Sequence, residues 1–357
     1  MSADRRWLHA TLASLGQEAA ESADTPLRRV DLAAFPGIVL YLKDEASHST
    51  GSLKHRLARS LFLYALCNGR LGEGQGAIDA SSGSTAISEA WFARLLGVPF
   101  TAVMPDCTAP AKVRLIRSLG AQCVLLPREM DASAVARERA RREGLCYLDQ
   151  FGLAERATDW RGNNNIAESI LAQLAAGPDP EPTWIVCGVG TGGTSATIGR
   201  YLRYRRLQTR VCVAEPTGGA FAVGWPSRNP AAVARTSTLI EGIGRPRVEP
   251  SFVFDVVDRV EEVADADSIA AAWQLESLLG QRYGGSSGTN LVACLRLARE
   301  MRDAGQSGSV VSLLCDRGDR YGETLFDREW LVCNGVDIDA SLASLGELQA
   351  ASSNSCG

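Results

Sequence analysis

The sequence predicts an α/β protein built on mostly parallel sheets, and two observations indicate this class. Short apolar runs typical of buried strands, such as 38–43 and 183–188, alternate along the chain with segments of helical periodicity. The alternation occurs in two blocks, near residues 45–150 and 180–330, so the 357 residues suit about two domains. We therefore expect two parallel sheets, each covered by helices on both faces.

The elements follow in order from the same periodicities. Residues 1–24 are expected to form a helical N-terminal segment, and residues 53–68 carry Leu57, Leu61 and Ala65 at helical spacing. Further helices are predicted at 85–96, 109–119, 131–143, 165–176, 193–206, 267–282 and 289–304. Strands are predicted at 38–43, 76–80, 99–104, 121–126, 183–188, 210–214, 256–263 and 309–315.

Composition restricts the classes of function. The chain has 37 basic and 41 acidic residues, and a net charge of −4 gives no general attraction to nucleic acid or anionic membranes. No stretch approaches the roughly 18 apolar residues of a membrane helix, and the N-terminus does not have the pattern of a secretory signal. Ten cysteines are scattered without any CxxC pair, which favours reduced thiols in a cytoplasmic protein.

Lysine is rare, and one lysine stands at a position that suits chemistry. The three lysines are Lys43, Lys54 and Lys112, so any reaction that needs a lysine amine has three candidates. Lys54 follows a Gly-Ser turn at the start of a predicted helix, where the positive end of the helix dipole favours the neutral amine needed for Schiff-base formation. The ordinary alternative is a solvated surface lysine. Lys43, at a strand end, is expected to be structural, and Lys112 is expected at the surface.

A glycine-rich loop allows two interpretations. Residues 188–193 read GVGTGG, between a predicted strand and a predicted helix, and Glu215 ends the next strand. This spacing matches a dinucleotide-binding fingerprint with an acid for a ribose hydroxyl. The same loop would also hold a single phosphate at a helix N-terminus. The loop alone does not decide between them.

Two hydroxyl-rich segments also open predicted helices. Residues 81–86 read SSGSTA and residues 285–288 read GSSG. Hydroxyls and amides at a helix start suit a carboxylate, although simple N-capping explains each segment taken alone.

In this order, the motifs resemble the cysteine synthase family of pyridoxal-phosphate enzymes, which includes the cystathionine β-synthase catalytic core and bacterial cysteine desulfhydrases. The resemblance runs from Thr25-Pro26-Leu27 to the segment 316–321 (DRGDRY). Lys54 matches the cofactor lysine, 190–194 (GTGGT) the phosphate loop, and Ser286 the serine at the pyridine nitrogen. The remaining matches are the substrate-carboxylate loop 81–86, the pair Gln150-Phe151 and the turn 241–244 (EGIG).

The resemblance implies a set of site residues, with pyridoxal 5'-phosphate as the cofactor, Lys54 as the catalytic residue and no metal. The implied cofactor-binding residues are Lys54, Ser84, Gly190, Thr191, Gly192, Gly193, Thr194 and Ser286. The implied substrate-binding residues are Ser81, Ser82, Gly83, Ser84, Thr85, Gln150 and Gly242.

The resemblance also implies the fold type II architecture, with two three-layer αβα domains, twisted sheets and the cofactor in the cleft between them. The expected divisions are an N-terminal segment (1–45) that packs on the large domain, a small substrate-carboxylate domain (46–150), a large cofactor-phosphate domain (151–334) and a loose C-terminal tail (335–357). A cytoplasmic homodimer acting on a small amino acid, without nucleic-acid or membrane partners, is implied as well.

Departures from the family pattern bear on the reaction. Ser84 replaces the usual Asn, the segment before Lys54 lacks the common Asn-Pro, and residues 160–165 read WRGNNN. These features look more like desulfhydrase-type members. We therefore expect β-elimination on L-cysteine or a related β-substituted alanine through an aminoacrylate, which releases sulfide, pyruvate and ammonia. A β-replacement synthase of the O-acetylserine sulfhydrylase type remains the alternative. His48 is either structural or a proton donor to the leaving group.

Overall fold

The computed structural model describes residues 3–345. The strands within these residues are β1 (Leu27–Asp31), β2 (Ile38–Asp44), β3 (Ala77–Ala80), β4 (Phe100–Pro105), β5 (Gln122–Leu126), β6 (Cys146–Tyr147), β7 (Trp184–Gly188), β8 (Arg210–Pro216), β9 (Arg259–Val263) and β10 (Gly308–Leu314). The helices are α1 (Ala3–Glu21), α2 (Lys54–Cys67), α3 (Ser84–Leu96), α4 (Pro110–Ser118), α5 (Ala132–Glu143), α6 (Gln150–Ala157), α7 (Ile166–Leu174), α8 (Gly193–Arg205), α9 (Ala220–Gly224), α10 (Asp265–Leu279), α11 (Gly285–Asp303) and α12 (Arg328–Cys333). None of these helices is long and apolar enough to cross a membrane.

The chain forms two compact units. The first unit comprises the described residues up to Asp24 together with His48–Asp159. The second unit comprises Thr25–Ser47 and the described residues from Trp160 onward. Each unit contains one of the two sheets.

The first unit is a four-stranded parallel sheet with the order β5-β4-β3-β6. Successive residues of a strand point to opposite faces, so each face has its own apolar cluster. Ala102 and Met104 belong to the cluster on the face of α2 and α3. Ile78 and Val103 belong to the other cluster, together with Ala136 of α5. This unit therefore has the expected three layers.

The N-terminal helix α1 packs within the first unit. Leu15 is buried in the same apolar cluster as α2 and α3, and Leu8 and Leu12 pack against that cluster. Of the predicted N-terminal segment 1–45, only residues 25–45 belong with the second unit. The prediction grouped α1 with the large domain, and the buried apolar face of the helix explains the difference.

The second unit has a six-stranded sheet with the order β1-β2-β10-β7-β8-β9. β1 pairs antiparallel with β2, and the other neighbours are parallel. Leu40 of β2, Val186 of β7 and Ala214 of β8 share an apolar cluster with Leu291 and Leu297 of α11. The prediction of mostly parallel sheets is confirmed for this unit as well.

The start of the predicted C-terminal tail is folded. Ile338 is only 1% exposed and lies in an apolar cluster with Ile269 and Leu331, against which Leu342 also packs. Residues 339–345 are helical. The prediction of a loose tail is therefore wrong for residues 335–345, because Ile338 is buried and Val336, Leu342 and Leu345 pack partly buried against the same cluster. Residues 346–357 lie outside the described residues.

Candidate active site

Lys54 lies at the first position of α2, as the sequence predicts. The turn before it uses Gly51 in the left-handed region (φ +70°). The hydroxyl of the buried Ser52 accepts a hydrogen bond from the Lys54 backbone amide at 3.2 Å, and the Ser52 carbonyl accepts one from the His55 amide at 3.0 Å. Ser52 therefore fixes the start of the helix, and the half-buried Lys54 side chain extends from a well-anchored backbone.

A buried ion-pair cluster supports the first turn of α2. His55 is fully buried, and its Nε2 lies 2.8 Å from Oε1 of Glu18 in α1. Arg59 Nε donates to Oε2 of the same carboxylate at 2.7 Å. Burial alone would raise the pKa of Glu18, but the hydrogen bonds with His55 and Arg59 outweigh it and lower that pKa to about 2. The His48 ring stacks on His55 at 4.7 Å between centroids, which favours a packing role for His48.

The loop 81–85 connects β3 to α3. Its Ser81 amide donates to the Val103 carbonyl at 3.0 Å, and its Ser81 hydroxyl accepts from the Ala86 amide at 3.2 Å. Gly83 is the N-cap of α3, so Ser84 and Thr85 occupy the first turn of the helix. Amides in a helical first turn have no intrahelical partner and bind anions. The loop therefore has the backbone arrangement that a substrate carboxylate requires.

Gln150 lies beside this loop. Its side-chain Nε2 donates to the Ala80 carbonyl at 2.8 Å, and its backbone amide donates to Oδ2 of Asp79 at 3.0 Å. Ala80 directly precedes the loop 81–85, so the structure brings together all the substrate-binding residues predicted in the first unit. Of these, Ser82 is exposed, whereas Thr85 and Gln150 are buried.

Asp79 and Glu89 are two buried acids that the sequence interpretation missed. Both side chains are 0% exposed, and burial raises the pKa of Asp79 to about 6 and that of Glu89 well above its ordinary value of 4.5. A signal was available, since each acid interrupts an apolar stretch next to the loop, in 76–80 (GAIDA) and 85–96 (TAISEAWFARLL).

The loop 190–194 lies at the start of α8 in the second unit. Gly192 is the N-cap of the helix, with φ +88°, a conformation that glycine adopts without strain. Thr191 Oγ1 accepts from the Gly193 amide at 3.2 Å. A Cβ on Gly192 would lie 2.6 Å from Cα of Phe252. The loop thus presents backbone amides at a helix N-terminus, which suits a phosphate dianion.

The turn 241–244 packs directly on this loop. A Cβ on Gly190 would clash with the Gly242 carbonyl oxygen, and one on Gly188 would lie 3.1 Å from Cγ2 of Ile243. Gly242 and Gly244 have positive φ angles, 86° and 69°. The structure therefore brings Gly242 next to the loop 190–194 through close backbone approach.

Ser286 is buried in the first turn of α11. The neighbouring Ser287 hydroxyl accepts from the Cys315 amide at 2.8 Å, and the Gly284 amide donates to the Asp316 carbonyl at 3.1 Å. These bonds fix the start of α11 against the end of β10. The Tyr321 hydroxyl donates to Oδ2 of Asp316 at 2.7 Å, and burial together with this carboxylate raises the pKa of Tyr321 well above 10.

Glu215 decides between the two interpretations of the glycine-rich loop. It is fully buried, and its carboxylate accepts from the amides of Phe221 at 3.3 Å and Ala222 at 2.6 Å. Burial raises its pKa to about 7, despite those two bonds. An acid enclosed in this way does not present oxygens to a ribose. The dinucleotide interpretation therefore lacks the acid that would bind the ribose hydroxyl.

The surroundings of the other two lysines differ from those of Lys54. Lys43 is fully buried, and its Nζ donates to the Thr25 carbonyl at 2.5 Å and to the Ser169 hydroxyl. These bonds give Lys43 the structural role that the sequence suggests. Lys112 is only 6% exposed, so its predicted surface position is wrong. Lys112 is one of three buried residues of α4, together with Val113 and Ile116.

The site residues fit pyridoxal phosphate. In the second unit the loop 190–194 places backbone amides at the start of α8, which suits the cofactor phosphate, and in the first unit Lys54 provides an amine at the start of α2. The chain belongs to the family of pyridoxal-phosphate dependent enzymes, whose model matches residues 20–316.

Within this family, individual proteins are similar to this chain over most of its length. The chain is 53% identical to the L-cysteine desulfhydrase Cds1 of Mycobacterium tuberculosis, over 98% of this chain and 96% of that protein. It is 30% identical to a cysteine synthase of Aquifex aeolicus, over 80% and 82% of the two chains. A crystal structure of a mutant hydrogen sulfide-producing enzyme, in complex with an α-aminoacrylate intermediate, matches with a TM-score of 0.77 and 25% identity, over 88% of this chain and 92% of the other.

Proposed function

We propose that this chain is a pyridoxal-phosphate-dependent lyase that eliminates sulfide from L-cysteine and releases pyruvate and ammonia. The observation that carries the proposal is the 53% identity, over nearly the whole chain, with an L-cysteine desulfhydrase. The hydrogen sulfide-producing enzyme of similar fold supports the same reaction class. The reaction balances as L-cysteine plus water giving hydrogen sulfide, pyruvate and ammonia.

Each predicted site residue has a role in this proposal. Lys54 holds the cofactor through its amine, the loop 190–194 binds the phosphate with its amides and Thr hydroxyls, and Ser286 meets the pyridine nitrogen. Loop 81–85 and Gln150 bind the substrate carboxylate, with Gly242 in the turn near the substrate. The backbone arrangement of each loop supports its assigned ligand.

The protein groups supply binding, orientation and proton transfer. When bound, pyridoxal phosphate supplies an electron-withdrawing ring conjugated to the substrate nitrogen. Amides at the start of α3 fix the carboxylate, which orients the Cα–H bond of the substrate. The Lys54 amine would hold the cofactor before substrate binds and would accept the Cα proton afterwards. Loss of the Cβ sulfur then gives the elimination product.

A single assay tests the reaction. Purified holoenzyme is mixed with L-cysteine, and sulfide, pyruvate and ammonia are measured together over time. The proposal predicts all three products in equal amounts, and the Lys54→Ala variant should release none above the rate without enzyme. Pyruvate far below one equivalent of sulfide would contradict the elimination.

A β-replacement synthase is the second candidate, and the 30% identity to a cysteine synthase favours it. The two functions diverge once the leaving group has departed, because a synthase adds a nucleophile where a lyase releases pyruvate. O-acetyl-L-serine supplied with sulfide discriminates between them. Rapid formation of L-cysteine with little pyruvate would replace the first proposal with this one.

We also propose a cytoplasmic homodimer, as the family resemblance suggests. The supporting observation for the compartment is that the nine cysteines among residues 3–345 are all free thiols, five of them buried. Analytical ultracentrifugation tests the assembly, since a homodimer requires twice the 38.1 kDa of one chain.

A further inference from the structure

Two acids of the first unit have no role in the proposed reaction although they lie behind the carboxylate loop. Asp79 is in β3 and Glu89 is in α3, and both side chains are 0% exposed. Acidic side chains are almost never fully buried unless a partner or function compensates for their desolvation. Within residues 3–345, neither carboxyl group forms an ion pair with a Lys or Arg side chain, so the pair needs another explanation.

Asp79 is bonded to the backbone that shapes the predicted substrate site. Its Oδ1 accepts from the Ala80 amide at 2.8 Å, and its Oδ2 accepts from the Gln150 amide at 3.0 Å. The Gln150 side chain returns to the Ala80 carbonyl at 2.8 Å. Asp79 therefore fixes both the residue before the loop 81–85 and the glutamine beside it.

Glu89 adds a second carboxyl to the same place. It lies in the second turn of α3, the helix whose first turn forms the end of the loop. Both of its carboxyl oxygens are buried and accept no hydrogen bond from an N–H or hydroxyl group among the described residues, while its carboxyl group contacts that of Asp79, which raises its pKa further. A buried carboxyl group with no cationic partner is far less costly when it is neutral, and two adjacent negative charges would also repel strongly.

The other charged and titratable neighbours do not neutralise the pair. Asp149 adds negative charge near Asp79, and burial together with Asp79 raises the pKa values of Cys146 and Tyr147, so these groups stay neutral. The nearby cations are engaged with Tyr147, since Arg70 donates to its carbonyl at 2.6 Å and Arg137 lies 5.8 Å from its ring centroid. We therefore expect a bound proton to neutralise one of the two negative charges of Asp79 and Glu89.

We propose that Asp79 and Glu89 together hold one proton when substrate binds, and that this proton keeps Gln150 and the loop 81–85 able to accept the substrate carboxylate. Asp79 and Glu89 are positioning residues in this proposal, which rests on the proposed amino-acid substrate. Loss of the proton adds a negative charge directly behind the loop. Substrate binding should therefore weaken as the pH rises through the ionisation of the pair, with little change in turnover at saturation.

The test measures binding of L-alanine, which has the amine and carboxylate of the substrate but no leaving group on Cβ. The wild-type holoenzyme, Glu89→Gln and the control Glu73→Gln are titrated with L-alanine between pH 5 and 9, through the visible absorbance of the cofactor. Glu73 is an exposed acid of the same unit, so its variant removes one charge without touching the pair. Ionisation of Lys54 and of the ligand affects all three proteins equally.

The proposal predicts that the dissociation constant for L-alanine rises with pH through a step that Glu89→Gln lacks and Glu73→Gln keeps. A glutamine at 89 has the size of a neutral glutamic acid and keeps no ionisable proton, so the loop should stay in place. If Glu89→Gln keeps the wild-type step, or weakens binding by one factor at all pH values, the pair has only a structural role and the proposal is wrong.

Two further measurements keep the outcome clear. Asp79→Asn replaces Glu89→Gln if the latter fails to fold. It should also lack the step, and it should weaken binding at all pH values because its amide nitrogen cannot accept both hydrogen bonds, from the Ala80 and Gln150 amides, that Asp79 accepts. Sulfide release from L-cysteine by the wild type is assayed separately. If that release is absent, the proposed elimination fails, while the L-alanine titration still decides the role of the pair.

Discussion

Substitution of Gly192 by alanine is expected to weaken cofactor binding. Gly192 has φ +88° at the N-cap of α8, and an added Cβ would lie 2.6 Å from Cα, 2.7 Å from N and 2.9 Å from Cβ of Phe252. Side-chain Cβ atoms essentially never approach another heavy atom to within 3.0 Å. The Gly192→Ala variant must therefore move the loop or the backbone of Phe252 by at least a few tenths of an ångström.

The cost has two physical sources. A positive φ costs an L-residue about 1–2 kcal/mol, and overpacking a well-filled site costs about 1–3 kcal/mol. The two add to about 2–5 kcal/mol, which the protein relieves by distorting the loop 190–194. Because about 1.4 kcal/mol corresponds to a tenfold change in affinity, we expect pyridoxal phosphate to bind at least about tenfold more weakly.

The assay reconstitutes the apoprotein with pyridoxal phosphate and follows the visible absorbance of the bound cofactor. Gly322→Ala is the matched control, because its Cβ would meet only the Asp319 carbonyl at 3.8 Å and its φ is negative. The control should bind with wild-type affinity. Equal affinities in Gly192→Ala and Gly322→Ala would refute the assignment of this loop to the phosphate.

Three other variants test the surroundings of the site. Glu215, with its pKa raised to about 7, favours folding fully below its ordinary value of 4.5 and loses that contribution as the pH rises to 7. Chemical denaturation at several pH values should show that Glu215→Gln lacks this loss, about 3 kcal/mol across the interval. Glu18, with its pKa lowered to about 2, contributes above 4.5 and loses that contribution as the pH falls toward 2, so Glu18→Gln should flatten the acid limb of the thermal unfolding profile. Lys43→Met removes two buried hydrogen bonds, to the Thr25 carbonyl and the Ser169 hydroxyl, and should cost roughly 1–3 kcal/mol of unfolding free energy. The variant should retain the visible cofactor band, and loss of the band would contradict a structural role for Lys43.

The sequence predicts the features that depend on local pattern. Alternating apolar runs identify the parallel strands of both sheets, and glycine and hydroxyl clusters mark the helix starts at Lys54, Ser84 and Gly193. These predictions are confirmed because the periodicity of burial and the chemistry of helix starts are encoded in adjacent residues. The short strand β6 and the helix α6 were missed, since two to eight residues carry too little periodicity.

Features set by tertiary packing could not be read from the sequence. α11 begins at Gly285, four residues before the predicted start, because Gly288 lies against the backbone of α10, where a Cβ would meet the Ala272 amide at 2.7 Å. Local propensity disfavours glycine in a helix, and close packing outweighs it. The burial of Lys112 and the pairing of Asp79 with Glu89 likewise depend on residues that are distant in sequence or on other elements.

The most direct test of the central claim locates the cofactor on the chain. Borohydride reduction fixes pyridoxal phosphate covalently to the amine that it has joined, and peptide mass mapping then identifies the labelled lysine among Lys43, Lys54 and Lys112. A label on Lys54 alone is expected, with no labelled peptide in the Lys54→Ala variant. A label on Lys43 or Lys112, or no label on a protein that was yellow before reduction, would contradict the assignment of Lys54.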